Sequence, residues 1–353
     1  MFGYNVKDDF NAIGDGTNDD TSAIQNALNA ANTAGGGTIY IPAGKYLITT
    51  SLTVFSNTTL QGAAQNATII IQNGLSAHIA SKDANYISIN DITFKGPGMD
   101  ASWGGGIILD RENNGNTEGI NFKNVTLSGI VGNALTVNCP ITSSFTNVKT
   151  VGVVGDGFSF ISSGTSVVMN NCYAITCTQS GYNLSQLNYS TLNACAVEVC
   201  GIGFNLNNNC NNISLISCGA EDDVYRNADY PGIDYKLIGG VGNSLISCYS
   251  RNNVDNGAGI VLNGGNPTII GYRQIGSCAN SIIDDSNTHV TLISPSLGSA
   301  VNLQPGTVGQ SGASSNRPTT NLFVGYQYYD TDLKNTIRYS GTDWCDAVGT
   351  TVS

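Results

Sequence analysis

A period constrains this chain more than any other feature. Between about Ile120 and Pro295 a large apolar residue returns every 23 or 24 residues: Phe122, Phe145, Met169, Leu192, Leu215, Leu245, Ile269 and Leu292, with one longer step of 30 after Leu215. Two residues further on stands a small or turn-prone residue, namely Asn124, Asn147, Asn171, Ala194, Ser217, Ser247 and Gly271, and the next column reads Cys172, Cys195, Cys218 and Cys248. A repeat of this length marks a solenoid. Helical repeats are longer and need 3.6-residue apolar periodicity, and the fixed leucine pattern of a leucine-rich repeat is missing. The segments SVVMN, STLNACAVEV, NNISLIS and PTIIGY are short, β-rich and punctuated by Asn, Gly and Ser, as strands and turns are. The expected fold is therefore all-β: a right-handed, single-stranded parallel β-helix with an N-terminal capping helix and a small C-terminal β-unit. Residues of one column then stack at about 4.8 Å. Met169 is expected on Leu192 on Leu215, with Cys172 on Cys195 on Cys218 beside them.

Only 11% of the residues are charged, and the net charge is -11. No basic stripe exists to meet phosphates, which argues against nucleic acid as a partner. No run of 18 apolar residues exists to span a membrane. The start, MFGYNVKDDF, lacks the regions of a signal peptide. The four cysteines of the inward column read as small buried hydrophobes. Cys177 and Cys200, one coil apart, fall within reach of a vertical disulfide. No CxxC pair matches another, so no zinc site is expected.

In residues 1–60, Asp19 or Asp20 can cap a short helix. Ile24, Ala27, Leu28 and Ala31 form one apolar face of it, and Gly35-Gly36-Gly37 ends it. Such a helix would cover the open edge of the first coil. The run AIGDGTNDDTSAIQNAL followed by GGGTIYIPAGKYLI resembles the opening of the pectate-lyase-like β-helix superfamily. That superfamily contains polygalacturonase-like hydrolases, lyases, epimerases and phage tailspike depolymerases, so the resemblance implies a carbohydrate substrate and leaves the reaction open. Asp15 to Asp20 resembles a calcium loop only in part, because Asn26 stands where the loop needs Glu; no metal and no cofactor are expected.

Residues 61–300 are expected to form the β-helix. Ile89 precedes Phe122 by 33 residues, and the excess is the insertion GPGMDASWGGGIILDRENNGNTEG with Trp103, Asp110, Arg111 and Glu112. Long loops on rigid scaffolds often shape binding sites; a plain surface loop fits as well. Residues 301–353 read as a linker and a small aromatic β-unit. The tail RPTTNLFVGYQYYDTDLKNTIRYSGTDWCDAVGTT resembles C-terminal segments of phage and prophage tail proteins. This resemblance implies a tailspike, a homotrimer on the virion tail or otherwise extracellular. Its partner would be a bacterial surface polysaccharide: capsule, O-antigen or exopolysaccharide.

Alternation past the cysteine column locates the chemistry. With Cys195, Cys218 and Cys248 inward, Glu198, Glu221 and Arg251 fall in one outward column, and Tyr173, Ala196, Gly219, Tyr249 and Arg273 form the parallel one. Carboxylates on adjacent rungs raise one another's pKa and so supply an acid and a base. Retaining glycosidases hold their carboxyls about 5–5.5 Å apart, inverting ones further. Glu198, Glu221, Asp222 and Asp223 are the catalytic candidates. Tyr173, Tyr249, Arg251, Arg273, Arg226 and Trp103 are the substrate-binding ones. The insertion DDVYRNADYPGIDYK after Glu221 is expected to add Arg226, Asp229, Tyr230 and Asp234 as a wall. The same ladder serves equally as a solvated ion-pair row. Asp156 reads as a turn residue. With His78 and His289 as the only histidines, in distant coils, a Ser-His-Asp hydrolase is disfavoured. The aspartate sets and the GHG of polygalacturonases are absent, so no catalytic residues carry over from them. Glycosidic hydrolysis by the Glu pair is the first expectation; a lyase, or a glycan-binding tail protein without catalysis, stand beside it.

Overall fold

A computed structural model describes the chain apart from residues 1–2, 113–114, 228, 285–289, 294, 298–299, 303–309, 318, 320–326, 347 and 353. The side chains of residues 225–227, 300–302 and 310–312 also lie outside the description, so Arg226 and His289 carry no structural account. The chain winds into an all-β parallel solenoid of about 11 turns. A 20-stranded sheet carries two faces of each coil and a 10-stranded sheet carries the third. The expected register holds: Phe122 pairs with Ile89 and Phe145, Met169 with Leu192, and Leu192 with Leu215.

Left-handed residues make the corner between the first and second faces. Asn124, Asn147, Asn171, Ala194, Ser217, Ser247 and Gly271 all have φ between 50° and 61°. Asn tolerates this region better than most residues, because its short amide bonds locally. Here the amides also bond upward: Asn124 Nδ2 donates to Asp91 at 2.8 Å, Asn147 to Asn124 at 3.0 Å and Asn171 to Asn147 at 2.7 Å.

Inside, columns stack at the rung spacing. Phe158, Tyr182, Phe204 and Tyr235 form one pile with ring centroids 4.7, 4.7 and 5.1 Å apart. All ten cysteines are free thiols, including Cys177 and Cys200. The thiols of Cys195, Cys218 and Cys248 approach the carbonyls of Met169, Leu192 and Leu215 at 3.5, 3.3 and 3.3 Å. They thus fill the core while spending their weak donors on the coil before.

The helix Thr21–Thr33 buries Ile24, Ala27, Leu28 and Ala31, as its apolar face requires. Asp20 occupies the N-cap position, yet its carboxylate accepts from the Ile13 and Gly14 amides at 2.6 and 3.0 Å instead of capping. The insertion after residue 95 proves shorter than its sequence suggested. Ile107–Asp110 is an ordinary third-face strand, stacked on Leu135–Asn138, which leaves residues 97–106 as the added loop. From Gln310 the described chain joins a separate four-stranded sheet, pinned by Arg317 on the buried Asp330 at 2.7 Å. Among the described residues no helix is long and apolar enough to cross a membrane.

Candidate active site

The second face is built from very short strands: Tyr173–Cys177, Ala196–Glu198, Gly219–Glu221, Tyr249–Arg251 and Arg273–Ile275. Their pairing puts Glu198 directly against Glu221, and Glu221 against Arg251. The parallel column runs Lys149, Tyr173, Ala196, Gly219, Tyr249 and Arg273. Between Tyr173 and Tyr249 this column drops to a methyl and a hydrogen for two rungs. The drop opens a concavity of 320 Å³ whose floor includes Ala196 and Gly219 and whose wall includes Tyr173, Glu198 and Glu221. A Cβ placed on Gly219 would meet nothing within 4 Å, so the space above it is open.

Each carboxylate has a partner on the far side of the pair. The Tyr173 hydroxyl, one rung before, donates to Glu198. Burial and then this contact raise the Tyr173 phenol above its ordinary pKa, so it stays a donor. The Lys149 ammonium lies 5.3 Å from the centre of the Tyr173 ring. Arg251, one rung beyond, pairs with Glu221 at 2.9 Å and with Asp222 at 2.5 Å. Asn253 adds a bond to Asp222 at 3.2 Å. Two carboxylates, Glu221 and Asp222, thus share one guanidinium on this stretch of surface.

Several expected site residues fall elsewhere. Asp223 does not reach the groove. Asp222 adopts φ 52°, which turns the chain so that Asp223 points inward. It is fully buried, its Oδ1 accepts from the Cys200 amide at 2.8 Å, and its Oδ2 has no partner. Burial, followed by Cys200 and Asp234, drives its carboxyl well above the ordinary range. Asp234 is no wall residue either. Ile233–Ile238 resumes the third face in register with Ile202–Asn207, and Asp234 is buried with bonds from Ser250 and from Asn252 at 2.9 Å. Trp103 stands beside Gly132, three coils before Glu198, or roughly 14 Å along the axis at the strand spacing. It does not line the groove. Tyr249 and Arg273 continue the column beyond it. Tyr230, on the short hairpin Tyr225–Asn227 with Tyr230–Pro231, lies near Gly201 at the following corner. Asp156 staples a turn, accepting from the Ser180 amide at 2.9 Å and the Asn183 side chain at 2.7 Å.

The sequence placed Ala196 and Gly219 in the outward column and Ala194 at the corner without showing that they form a floor, and it did not single out Lys149. The fall in side-chain size along one column was the available signal for the floor. Among the described residues no group of three or more His, Cys, Asp or Glu side chains could hold a metal ion.

Residues 3–233, about two thirds of the chain, match the family described as rhamnogalacturonase A/epimerase, pectate lyase-like. The chain belongs to that family. A 74-residue stretch is 50% identical to the mannuronan C5-epimerase AlgE1 of Azotobacter vinelandii, covering 19% of this chain and 5% of that protein. The match thus spans a small part of that relative's length. The A-module of the mannuronan C-5 epimerase AlgE6 from the same organism superposes with a TM-score of 0.53 at 18% identity, over 85% of this chain and 96% of the module. The enzymatically active domain of tailspike protein 2 from bacteriophage CBA120 superposes with a TM-score of 0.53 at 14% identity, over 82% of this chain and 47% of that one. These superpositions speak for the fold.

Proposed function

We propose that this protein binds and hydrolyses a bacterial surface polysaccharide in the second-face groove, as a tailspike-type depolymerase. One observation carries the reading: two glutamates on adjacent rungs, over a floor of small residues, each with its own partner. Glu221, paired with Arg251, is the base that takes a proton from water. Glu198, which stands against Glu221 and accepts from the Tyr173 hydroxyl, is the group that delivers a proton to the leaving glycosidic oxygen. Tyr173 draws Glu198 toward one end of the solenoid and Arg251 draws Glu221 toward the other. A separation of about 5–5.5 Å between the two carboxyls would suit a retaining mechanism and one of about 6.5–9.5 Å an inverting one. Glu221 and Asp222 both hold Arg251, so this guanidinium is not free to meet a uronate. A neutral sugar at the cut bond fits better.

Membership of a family that includes epimerases, and the short match to a mannuronan C5-epimerase, favour a second reading: proton abstraction from a uronate, leading to epimerisation or chain cleavage by elimination. The two readings part on products. Hydrolysis yields a new reducing end without new ultraviolet absorbance, and elimination yields an absorbing unsaturated uronate. Glu221→Gln should lower hydrolysis at least 100-fold, on the scale of lost general-base catalysis, with the fold intact by circular dichroism. Full activity in that variant removes Glu221 from the mechanism. Binding without chain shortening over long incubation would leave a glycan-docking tail protein.

The assembly proposed with this function is a homotrimer on a virion tail. It is supported by an outward isoleucine ladder on the first face, where Ile216, Ile246, Ile270 and Ile293 pair on four successive rungs and Ile293 is 46% exposed. Apolar patches of this kind mark interaction sites on an otherwise polar surface.

A further inference from the structure

The third face has an unfinished edge. Its first strand, Ile79–Lys82, pairs with Ile107–Asp110 on one side only. On the other side the chain touches it at Leu52, where the Ala80 amide donates to the Leu52 carbonyl at 3.0 Å. A regular ladder would next bring the Val54 amide to the Ala80 carbonyl. Instead Val54 donates to the Ser81 hydroxyl at 2.7 Å, and the chain rejoins the next coil only at Asn57, whose amide donates to Asn85 at 2.9 Å. The bulge at residues 53–56 leaves a notch of 470 Å³, larger than the second-face groove.

The notch has the make-up of a binding site. Ala80, Ile108 and the half-buried Phe55 form an apolar bed, and Lys82, Asp83 and Asp110 stand around it. Each has a partner. Lys82 pairs with Glu112 at 2.7 Å, Asp83 accepts from the Glu112 amide at 2.8 Å, and Asp110 accepts from Asn138 at 2.8 Å. The Asp83 amide bonds back to Asp110, so alternation turns the Lys82 backbone toward the notch. The carboxylates outnumber the one ammonium, which disfavours phosphates and other anions. A mixed rim of donors and acceptors over an aromatic and aliphatic bed suits a neutral sugar, whose hydroxyls point sideways and whose ring faces are C–H surface. The volume falls in the range of about 300–1,000 Å³ usual for small-ligand sites.

We propose that this notch is a second saccharide site, which holds a neutral stretch of the same polymer without cutting it. The inference rests on the glycan reading above. Five strand spacings separate its strand from Ile202–Asn207, the third-face strand of the Glu198 coil, or roughly 24 Å along the axis. A polymer engaged at both places gains by effective concentration, and a short oligosaccharide cannot.

The test uses the full chain against a panel of purified capsular polysaccharides, O-antigens and exopolysaccharides. Ala80→Arg fills the notch from an exposed position, and Gly219→Val fills the groove; melting curves establish that both variants fold. We expect Ala80→Arg to raise KM for the polymer about ten-fold while kcat and the KM for short oligosaccharides stay unchanged. Gly219→Val should still retard in gels containing the polymer, and the double variant should not. Unchanged polymer KM in Ala80→Arg, or complete loss of retardation in Gly219→Val alone, overturns the second site and leaves the hydrolase reading standing. Retardation that Ala80→Arg abolishes, with no cleavage by the wild type, supports the notch and overturns the hydrolase reading. Failure of the wild type both to bind and to cut any member of the panel overturns both.

Discussion

Acid should loosen the base of the loop that carries Trp103, through His78. This side chain is fully buried at the start of the third face, with its ring edge-on to Phe94 at 5.3 Å. Its Nε2 lies 3.0 Å from the Lys95 carbonyl, so it donates there, and Nδ1 has no partner. Its backbone amide donates to Gly106 at 2.8 Å, and the ring lies against Gly105, at the end of the added loop. Burial lowers its pKa from 6.5 to about 4, against the smaller opposing effect of nearby carbonyls. The sign follows. The unfolded chain takes the proton near pH 6.5 and the folded chain only near 4, so the stabilisation is complete above about 6.5 and declines as pH falls between these values. The full difference is about 3 kcal/mol, of which about 2 kcal/mol is lost by pH 5. Urea unfolding of the wild type and of His78→Gln, whose amide can still donate to Lys95, should be compared at pH 7 and pH 5. Carboxylates titrate in both proteins and cancel in the difference. The gap between the two should shift by about 2 kcal/mol in favour of the variant at the lower pH. With two histidines in the chain, one imidazole proton resonance should also stay fixed between pH 8 and pH 5. Equal acid losses in the two proteins, or two resonances titrating near pH 6.5, would refute the argument.

Gly219→Val should leave the melting temperature within a degree or two, since a Cβ there meets nothing, and should abolish polysaccharide cleavage by filling the floor; normal cleavage would place the substrate elsewhere. Asp223→Asn should stabilise the protein increasingly as pH rises. The wild-type carboxyl, held well above its ordinary pKa by burial, contributes fully below the unfolded pKa of about 3.9 and loses that contribution as pH rises toward the pKa of the folded state. A difference in melting temperature that is flat from pH 4 to pH 8 would contradict this. If the proposed trimer forms through the isoleucine ladder, the wild type should scatter as a trimer and Ile270→Asp as a monomer with the coil still folded; an unchanged mass would exclude the ladder as the interface.

Much of the fold was legible because a solenoid writes its contacts into its period. The interval from Ile89 to Phe122 gave a pairing that the structure bears out. The positive-φ column at Asn124, Asn147 and Asn171 was visible as a run of turn-prone residues. The insertion at 96–119 was misjudged because its Gly-rich ends hide Ile107–Asp110, whose four residues are too few for periodicity to separate from a loop. The notch was illegible for another reason. It comes from a ladder bond that Val54 fails to make, and failed pairings leave no pattern in sequence.

The site was legible as far as parity held. Strand alternation correctly turned Glu198, Glu221 and Arg251 outward, because only two residues stand between each and an inward cysteine. It failed one step later. Gly129, Gly152, Thr176, Val199 and Asp222 all adopt φ between 52° and 64°, and the residues after them, Ile130, Val153, Cys177, Cys200 and Asp223, all point inward. The two glycines that open this column were the missed signal, since a glycine in register with an aspartate marks a position that needs positive φ. Once that corner is recognised, the second-face strands are bounded on both sides. Ala194 and Val199 flank Ala196–Glu198, and Ser217 and Asp222 flank Gly219–Glu221, each in the left-handed region. A one-residue slip would bring Val197 or Ala220 outward in place of Glu and turn the glutamates toward the core. The glutamates are therefore aimed by two backbone corners each, and the precision of the pair comes from the coil itself and not from a loop.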